Sequence, residues 1–314
     1  MSSKSMLKFI LKRILWVIPV IICVAILVFT IMYFTPGDPV TMILGDTATQ
    51  EQKDALRAQL GLDQSYFVQL EKFLENTFFR LDLGKSWMSN QSVMAQISVR
   101  LPYTLLVSFV SAILSILIGI PLGIVAARNQ YTWKDSVTIF GSLFCVSMPS
   151  FWFALVMVMI FSLKLRWLPA IGIDTWKGFI LPIVSISAGG IASITRQTRS
   201  SMLEVLNKDY ITTSRAKGQK EHLTIYKHAL RNALNPVITT VGGLVAGIIG
   251  GTMVVEQLFS IPGIGTYMLT AISARDFPVI RGCVLVISVC FCLLMLVVDI
   301  LYVVVNPRVR DELK

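Results

Sequence analysis

The sequence predicts an all-α polytopic membrane protein with six transmembrane helices and a small helical extracytoplasmic insert after the first of them. Three observations carry this. Of 314 residues, 54% are hydrophobic and only 15% charged, a balance outside the range of ordinary soluble domains. Six segments have the length and apolar character needed to cross a hydrocarbon core about 30 Å thick: 10–34, 102–127, 137–163, 179–194, 236–255 and 282–305. Basic residues are also distributed unevenly between alternate loops, as the positive-inside rule requires.

With the N-terminus inside, the short inner segments hold seventeen Lys and Arg and the short outer loops five. The 35–101 loop is long enough to translocate regardless of charge, and its eight acids outnumber its six bases. Both termini are therefore expected in the cytoplasm of a bacterium, with the chain in its cytoplasmic membrane. The net charge of +10 is accounted for by this asymmetry, so it gives no reason to expect a nucleic-acid partner. The expected organisation is an N-terminus and first span over 1–34, an extracytoplasmic helical loop over 35–101, a five-helix core over 102–305 containing a cytoplasmic loop at 196–235, and a tail at 306–314.

Segment 10–34 is too long, and too flanked by charge, for a removed signal peptide. It stops at Thr35-Pro36-Gly37-Asp38-Pro39, a strong turn signal. Thr49 with Gln52 fits a capping box opening a helix to about Leu60, which Gly61 ends. A second helix over 65–79 places Phe67, Leu70, Phe73, Leu74 and Phe78 on one stripe, to lie on the membrane surface, pack over the span ends or meet a partner. Pro149 inside span three and Pro182 near the start of span four are expected to kink their helices. Gly243, Gly247 and Gly251 give span five the small-xxx-small spacing that lets helices approach closely or line a pathway. Glu256 at the outer end of span five and Asp299 within span six are ionisable groups in apolar surroundings. Each is a candidate for substrate passage or for local hydrogen bonding. Pro149 and the three glycines join them as candidates for the pathway or its gate.

Catalytic chemistry is missing from the pattern. There is no GxxxxGK[ST] nucleotide loop, no HExxH and no GxSxG. His222 and His228 are six apart, poor spacing for one helix face. The five cysteines lie within spans, where they read as small buried apolar groups. No metal site and no cofactor bound by the chain itself is expected, and the chain reads as a non-catalytic subunit. A self-sufficient secondary transporter or channel would call for inverted repeats and a working intramembrane charge; no repeat is evident and Asp299 stands alone.

The segment 196–235 is the most informative. It holds eight Lys or Arg against Glu204, Asp209 and Glu221, and it is far longer than a connector requires. Asn207 is expected to cap a short helix over 208–217, broken by Gly218. A second helix from about Lys220 carries Leu223, Tyr226, Leu230 and Leu234 on one stripe, and Asn235-Pro236 is expected to open span five as cap and first residue. Helix, glycine, helix, just before a span, describes a rigid peg.

The run Asp209-Tyr210-Ile211-Thr212-Thr213-Ser214-Arg215-Ala216-Lys217-Gly218, followed by His228-Ala229-Leu230-Arg231-Asn232-Ala233-Leu234-Asn235-Pro236, closely resembles the "EAA" loop of ATP-binding cassette (ABC) importer permeases. More narrowly it resembles the first permease subunit of dipeptide and oligopeptide importers. Pro36–Pro39, Leu60–Asp63, Asp82–Gly84, Ser147–Trp152, Glu256 with Phe259–Gly265, and Asn306–Arg308 extend the resemblance along the chain. Ser214 stands where the family usually has alanine, and Asn306 replaces the usual acid.

The resemblance implies a type I ABC importer permease-like fold and a role for the loop. Asp209, Tyr210, Thr213, Ser214, Arg215, Ala216, Lys217 and Gly218 would dock into a cytoplasmic ATPase. It implies a second homologous permease subunit, two ABC ATPase subunits that use ATP and Mg, and an extracytoplasmic substrate-binding protein, for which the 35–101 loop is the candidate surface. Short peptides are the expected substrate; nickel, glutathione or another small solute would use the same architecture.

Overall fold

The computed structural model describes residues 3–305. Expectations for Asn306-Pro307-Arg308 and the 306–314 tail lie outside these residues. The described chain is helical: α1 (Ser3–Phe34), α2 (Pro39–Leu44), α3 (Gln50–Gln59), α4 (Tyr66–Leu74), α5 (Val93–Arg128), α6 (Trp133–Ser147), α7 (Ser150–Met157), α8 (Ile180–Leu206), α9 (Asp209–Ala216), α10 (Glu221–Leu223), α11 (Leu230–Leu258), α12 (Ile264–Ala274) and α13 (Phe277–Val305). π-helical turns continue α4 over Glu75–Phe79, α7 over Val158–Lys164 and α10 over Thr224–Ala229.

Four helices are long and apolar enough to cross a membrane alone, covering Ile10–Phe34, Val93–Arg128, Trp176–Leu206 and Phe277–Ile300. Two bent pairs, Trp133–Ser147 with Ser150–Lys164 and Glu221–Ile248 with Gly250–Leu258, raise the count to six if each pair is one span. The first pair corrects the expected kink in span three. The bend there is 103°, because the helix stops at Ser147 and Pro149 becomes the extended residue before α7. Proline has no N–H to give the preceding turn, and it pushes the residue before it out of the helical region. Pro182 makes no such break. It is the third residue of α8, where its missing N–H would have no intrahelical partner anyway.

The chain divides into two compact units. One comprises Leu11–Tyr103 and Pro262–Cys292, the other Thr104–Ile261 with 3–10 and 293–305.

In the first unit the capping box at Thr49 is present in both directions, and α3 ends before Gly61, whose φ of +68° needs no Cβ. Asp38 caps α2 by accepting from the Val40 amide at 3.2 Å, with Pro39 at the first helical position. The aromatic stripe of α4 divides. Phe73 stacks on Phe29 of α1 and Tyr66 packs against Phe29, Tyr33 and Phe34. Phe67 points away and is 76% exposed. Phe78 falls in the π-helical turn after Leu74 and is half-buried, whereas Phe79, outside the stripe, is exposed. Val93, Ile97, Ile264, Ala271, Val279, Ile280 and Cys283 form the unit's core. The buried carboxylate of Asp276 accepts from the Ser86 hydroxyl at 2.5 Å and the Trp87 amide at 3.1 Å, tying the 84–92 turn to the α12–α13 corner.

In the second unit α8 packs on α6, α7 and α11. Close approach comes from glycines other than the span-five stripe. A Cβ at Gly119 would lie 2.9 Å from the Ile194 side chain, at Gly123 2.5 Å from Thr198, at Gly190 2.4 Å from Ser115, and at Gly242 2.7 Å from Val298. Short polar side chains reinforce these crossings, as Ser115 donates to the Ser187 carbonyl and Thr195 to the Gly119 carbonyl.

Candidate functional site

The segment joining α8 to α11 forms as a short helix on a buried anchor. α8 runs to Leu206, and Asn207 ends it with its own N–H on the Val205 carbonyl. Asn207 therefore does not cap the next helix. Lys208 holds that position in extended conformation with no side-chain cap. The acid Asp209 in the first turn offsets the exposed amides there.

α9 has eight residues, too few to be stable alone in water. Its order comes from Ile211, which is fully buried among Ile124, Ala127, Met202, Ile225 and Ala229. Around that anchor Asp209, Tyr210, Thr212, Thr213, Arg215, Ala216, Lys217 and Gly218 are all exposed.

The C-terminal end is closed by a Schellman motif. Gly218 N–H bonds the Arg215 carbonyl at 2.9 Å, Gln219 N–H bonds the Ser214 carbonyl at 3.3 Å, and Gly218 has φ +73°. Side chains brace the turn. Ser214 donates to Gln219 Oε1 at 2.6 Å and lies 3.3 Å from Thr224 Oγ1. Arg215 bonds both carboxylate oxygens of Glu221, at 3.1 and 2.8 Å. The Glu221 carboxylate holds the Arg215 guanidinium above its ordinary pKa, and the guanidinium holds the carboxyl below its own. Tyr210 Oη accepts from Asn232 Nδ2 at 3.0 Å, joining α9 to α11 directly.

Two expectations about the second helix are corrected. The buried face is Ile225, Ala229, Ala233 and Val237, whereas Leu223 and Tyr226 are exposed. The π-helical turn at Thr224–Ala229 inserts an extra residue per turn and moves the apolar stripe, and alanines permit the closest packing. Asn235-Pro236 also does not open a span. α11 begins at Leu230 and carries Pro236 inside it, so α11 is one helix from the foot of the loop into the apolar core of the unit.

A contact not legible locally supports this region. Arg199 of α8 grips Asp135 of α6 with two bonds, Nε to Oδ1 at 2.6 Å and Nη2 to Oδ2 at 2.7 Å. Asp135 is 3% exposed and also accepts from the Tyr131 amide. The partners are 64 residues apart in sequence, so no spacing rule would have paired them.

The other candidates are dispersed. Cβ atoms added at Gly243, Gly247 or Gly251 meet nothing within 4 Å, so this stripe of α11 faces away from the rest of the described chain. Glu256 is fully buried and accepts from the Thr104 hydroxyl at 2.7 Å, a local hydrogen bond within the unit. Asp299 is half-buried on α13, and Pro149 sits at the α6–α7 break. Among the described residues no three His, Cys, Asp or Glu side chains group as metal ligands.

Helices long and apolar enough to cross a membrane, with an exposed, braced and basic loop between two of them, are those of a membrane-embedded component. Comparison with known proteins gives the family. Residues 119–311 match the binding-protein-dependent transport system inner membrane component, and residues 6–108 match the N-terminal region of such membrane components. The chain belongs to this family and is the transmembrane permease subunit of an ABC importer. A protein of Brucella abortus (strain 2308), named for a peptide transport system permease, is 42% identical over 96% of this chain and 99% of its own length. A glutathione transport system permease protein of Escherichia coli O6:H1 (strain CFT073) is 37% identical over 97% of this chain and 99% of its own. The fold is shared with a chain of the MetNI methionine ABC transporter in an inward-facing form (TM-score 0.57, 19% identity, 68% of this chain and 97% of that one).

Proposed function

We propose that this permease carries short peptides, and that α9 with the Gly218 turn is the element through which a cytoplasmic ATPase drives it. The observation that carries the second part is the placement of Ile211. One buried side chain fixes α9 to the core of its unit while eight of the nine other residues of Asp209–Gly218 stay exposed. A helix fixed at one face and free on the other transmits a push from a docked protein without itself rearranging. ATP would favour one state of a pair of ATPase subunits, and α9 would pass that preference to the spans as differential binding.

The family description supports a partner binding protein and an inner-membrane location. A second permease subunit and two ATPases complete the assembly in this reading, with both termini of this chain in the cytoplasm. ATP and Mg belong to the ATPases, and this chain does no chemistry. The open Gly243–Gly247–Gly251 stripe is the face assigned to the second permease or to the pathway between them.

Relatives named for peptide and for glutathione transport support a peptidic substrate, since glutathione is itself a tripeptide. The test is uptake by the reconstituted four-subunit assembly with its binding protein. ATP-dependent accumulation of a labelled dipeptide is expected, with glutathione a weaker competitor and nickel none. Nickel uptake in the absence of peptide uptake overturns the substrate assignment. Uptake by this chain alone, without ATPases, overturns the importer mechanism.

A further inference from the structure

The unit that contains the 35–101 insert carries a partly open cavity of about 780 Å³, within the size range of small-molecule sites. Nothing in the transport reading uses it. Aromatic rings, among them Phe29, Phe73, Trp87 and Phe277, form part of its wall, and four cations line it against two carboxylates.

One pair of these charges is matched, and two more of the groups bond to neutral partners. Arg57 bonds Asp38 and Asp54, each at 2.9 Å. Lys72 donates to Gln64 Oε1 at 2.8 Å, and Asp82 Oδ1 accepts from the Gly84 amide at 2.8 Å.

Arg281 differs. Its Nε donates to the Phe277 carbonyl at 3.3 Å. Its guanidinium lies against two rings, 4.9 Å from the Phe73 centroid and 5.4 Å from that of Phe29. The side chain is partly buried, and among the described residues no carboxylate lies within 4 Å of it. Asp276 is the nearby carboxylate, but it is outside ion-pair distance and already bonded by Ser86 and Trp87; withdrawing a cation from water without a direct ion pair is costly, and ring faces return only part of that cost. The rings hold the guanidinium at the cavity wall, while the N–H groups of its two Nη atoms, which have no hydrogen-bond partner among the described residues, remain for a planar, two-oxygen acceptor. That is the geometry in which arginine takes a carboxylate.

We propose that this cavity binds a small organic carboxylate. Arg281 anchors the carboxylate, and the Trp87–Phe277 side of the cavity covers the ligand's apolar part. Phe29 and Phe73 position the guanidinium. The excess of cations over acids in the lining favours an anionic ligand, and the aromatic walls favour an organic one over a bare inorganic ion. The site does not depend on the coupling role assigned to α9.

Trp87 reports on the site, because it lines the cavity and packs on Phe277 at 5.6 Å. The full chain in lipid nanodiscs is titrated with N-acetylphenylalanine, its neutral amide N-acetylphenylalaninamide, and inorganic phosphate, while tryptophan fluorescence is followed. Trp87→Phe identifies which part of the signal comes from the cavity. The expected result is a saturable change with the acid and binding at least tenfold weaker for the amide and for phosphate. Arg281→Gln should weaken the acid at least tenfold and leave the amide unchanged. Should Arg281→Gln fail to fold, the comparison of acid and amide on the natural chain decides the matter. Equal binding of acid and amide, phosphate binding as tight as the acid, or no saturation by the acid at millimolar concentration overturns the proposal.

Discussion

Replacing Ile211 with alanine removes the one side chain that seats α9. Ile211 is fully buried, so the substitution deletes three buried carbons. At about 0.8 kcal/mol for each, the transfer loss is about 2.4 kcal/mol. A cavity left between Met202, Ile225 and Ala229 brings the expected cost to about 2–5 kcal/mol. The remaining ties cannot replace it. The Arg215–Glu221 pair is nearly half exposed on both sides and is worth at most about 1 kcal/mol. The Tyr210–Asn232 and Ser214–Gln219 bonds are on exposed or partly buried groups and add about 1 kcal/mol each. The loss should therefore fall on α9 locally, leaving the spans folded. Since 1.4 kcal/mol is a factor of ten, hydrogen exchange at the amides of 209–216 should accelerate by about thirtyfold or more. In the reconstituted importer, peptide uptake should fall while the ATPases still hydrolyse. Unchanged exchange at 209–216 would refute the packing argument. Faster exchange with unchanged uptake would refute the idea that a rigid α9 carries the coupling.

Other outcomes follow from the same geometry. Gly218→Ala meets no atom but must hold φ +73°, so a loss of about 1 kcal/mol in local stability is expected; Gly218→Pro cannot adopt that φ at all and should abolish coupling without preventing membrane insertion, read as ATP hydrolysis without uptake. Arg199→Met strands the Asp135 carboxylate, which is buried, and should cost about 3–5 kcal/mol. Adding Asp135→Asn should recover much of it in thermal unfolding, and a double variant no better than the single one would count against the pair. Gly123→Ala drives a Cβ to within 2.5 Å of Thr198 and should destabilise the isolated chain by about 1–3 kcal/mol. Gly247→Ala enters open space and should leave the isolated chain no less stable. Gly247→Leu, however, should impair assembly with the second permease; normal assembly and transport would remove that stripe from the interface.

Parts of the 35–101 insert and of the 196–235 loop were legible because their signals are local. Thr49 and Gln52 are three residues apart and form the capping box that spacing implies. Gly218 ends α9 because no other residue sits easily at positive φ. Ile211 stands alone as the large aliphatic residue in the α9 sequence, a signal of burial that the helix–glycine–helix reading left unused. What was not legible depends on register or distance. The π-helical turn at Thr224 rotates the side chains within and after it, which is why Tyr226 points outward against the stripe reading, and Phe67 is left exposed because α1 packs on the Tyr66–Phe73 side of α4. α12, eleven residues long, is too short to register as a span and merges with the turn after α11. Pro149 announced a disturbance but not its 103° extent. The Arg199–Asp135 grip and the Asp276 node join residues far apart in the chain, so neither leaves a pattern in a window of sequence.

The central claim is that exposed α9 is held by a separate ATPase, and contact-dependent crosslinking tests it most directly. A photoreactive phenylalanine analogue is placed at Ala216, exposed on α9, and separately at Phe79, 87% exposed on the 35–101 insert. In membranes holding the complete importer, irradiation should join Ala216 to the ATPase subunit and Phe79 to no cytoplasmic protein. An Ala216 position that captures no ATPase, or a Phe79 position that captures it equally well, contradicts the account.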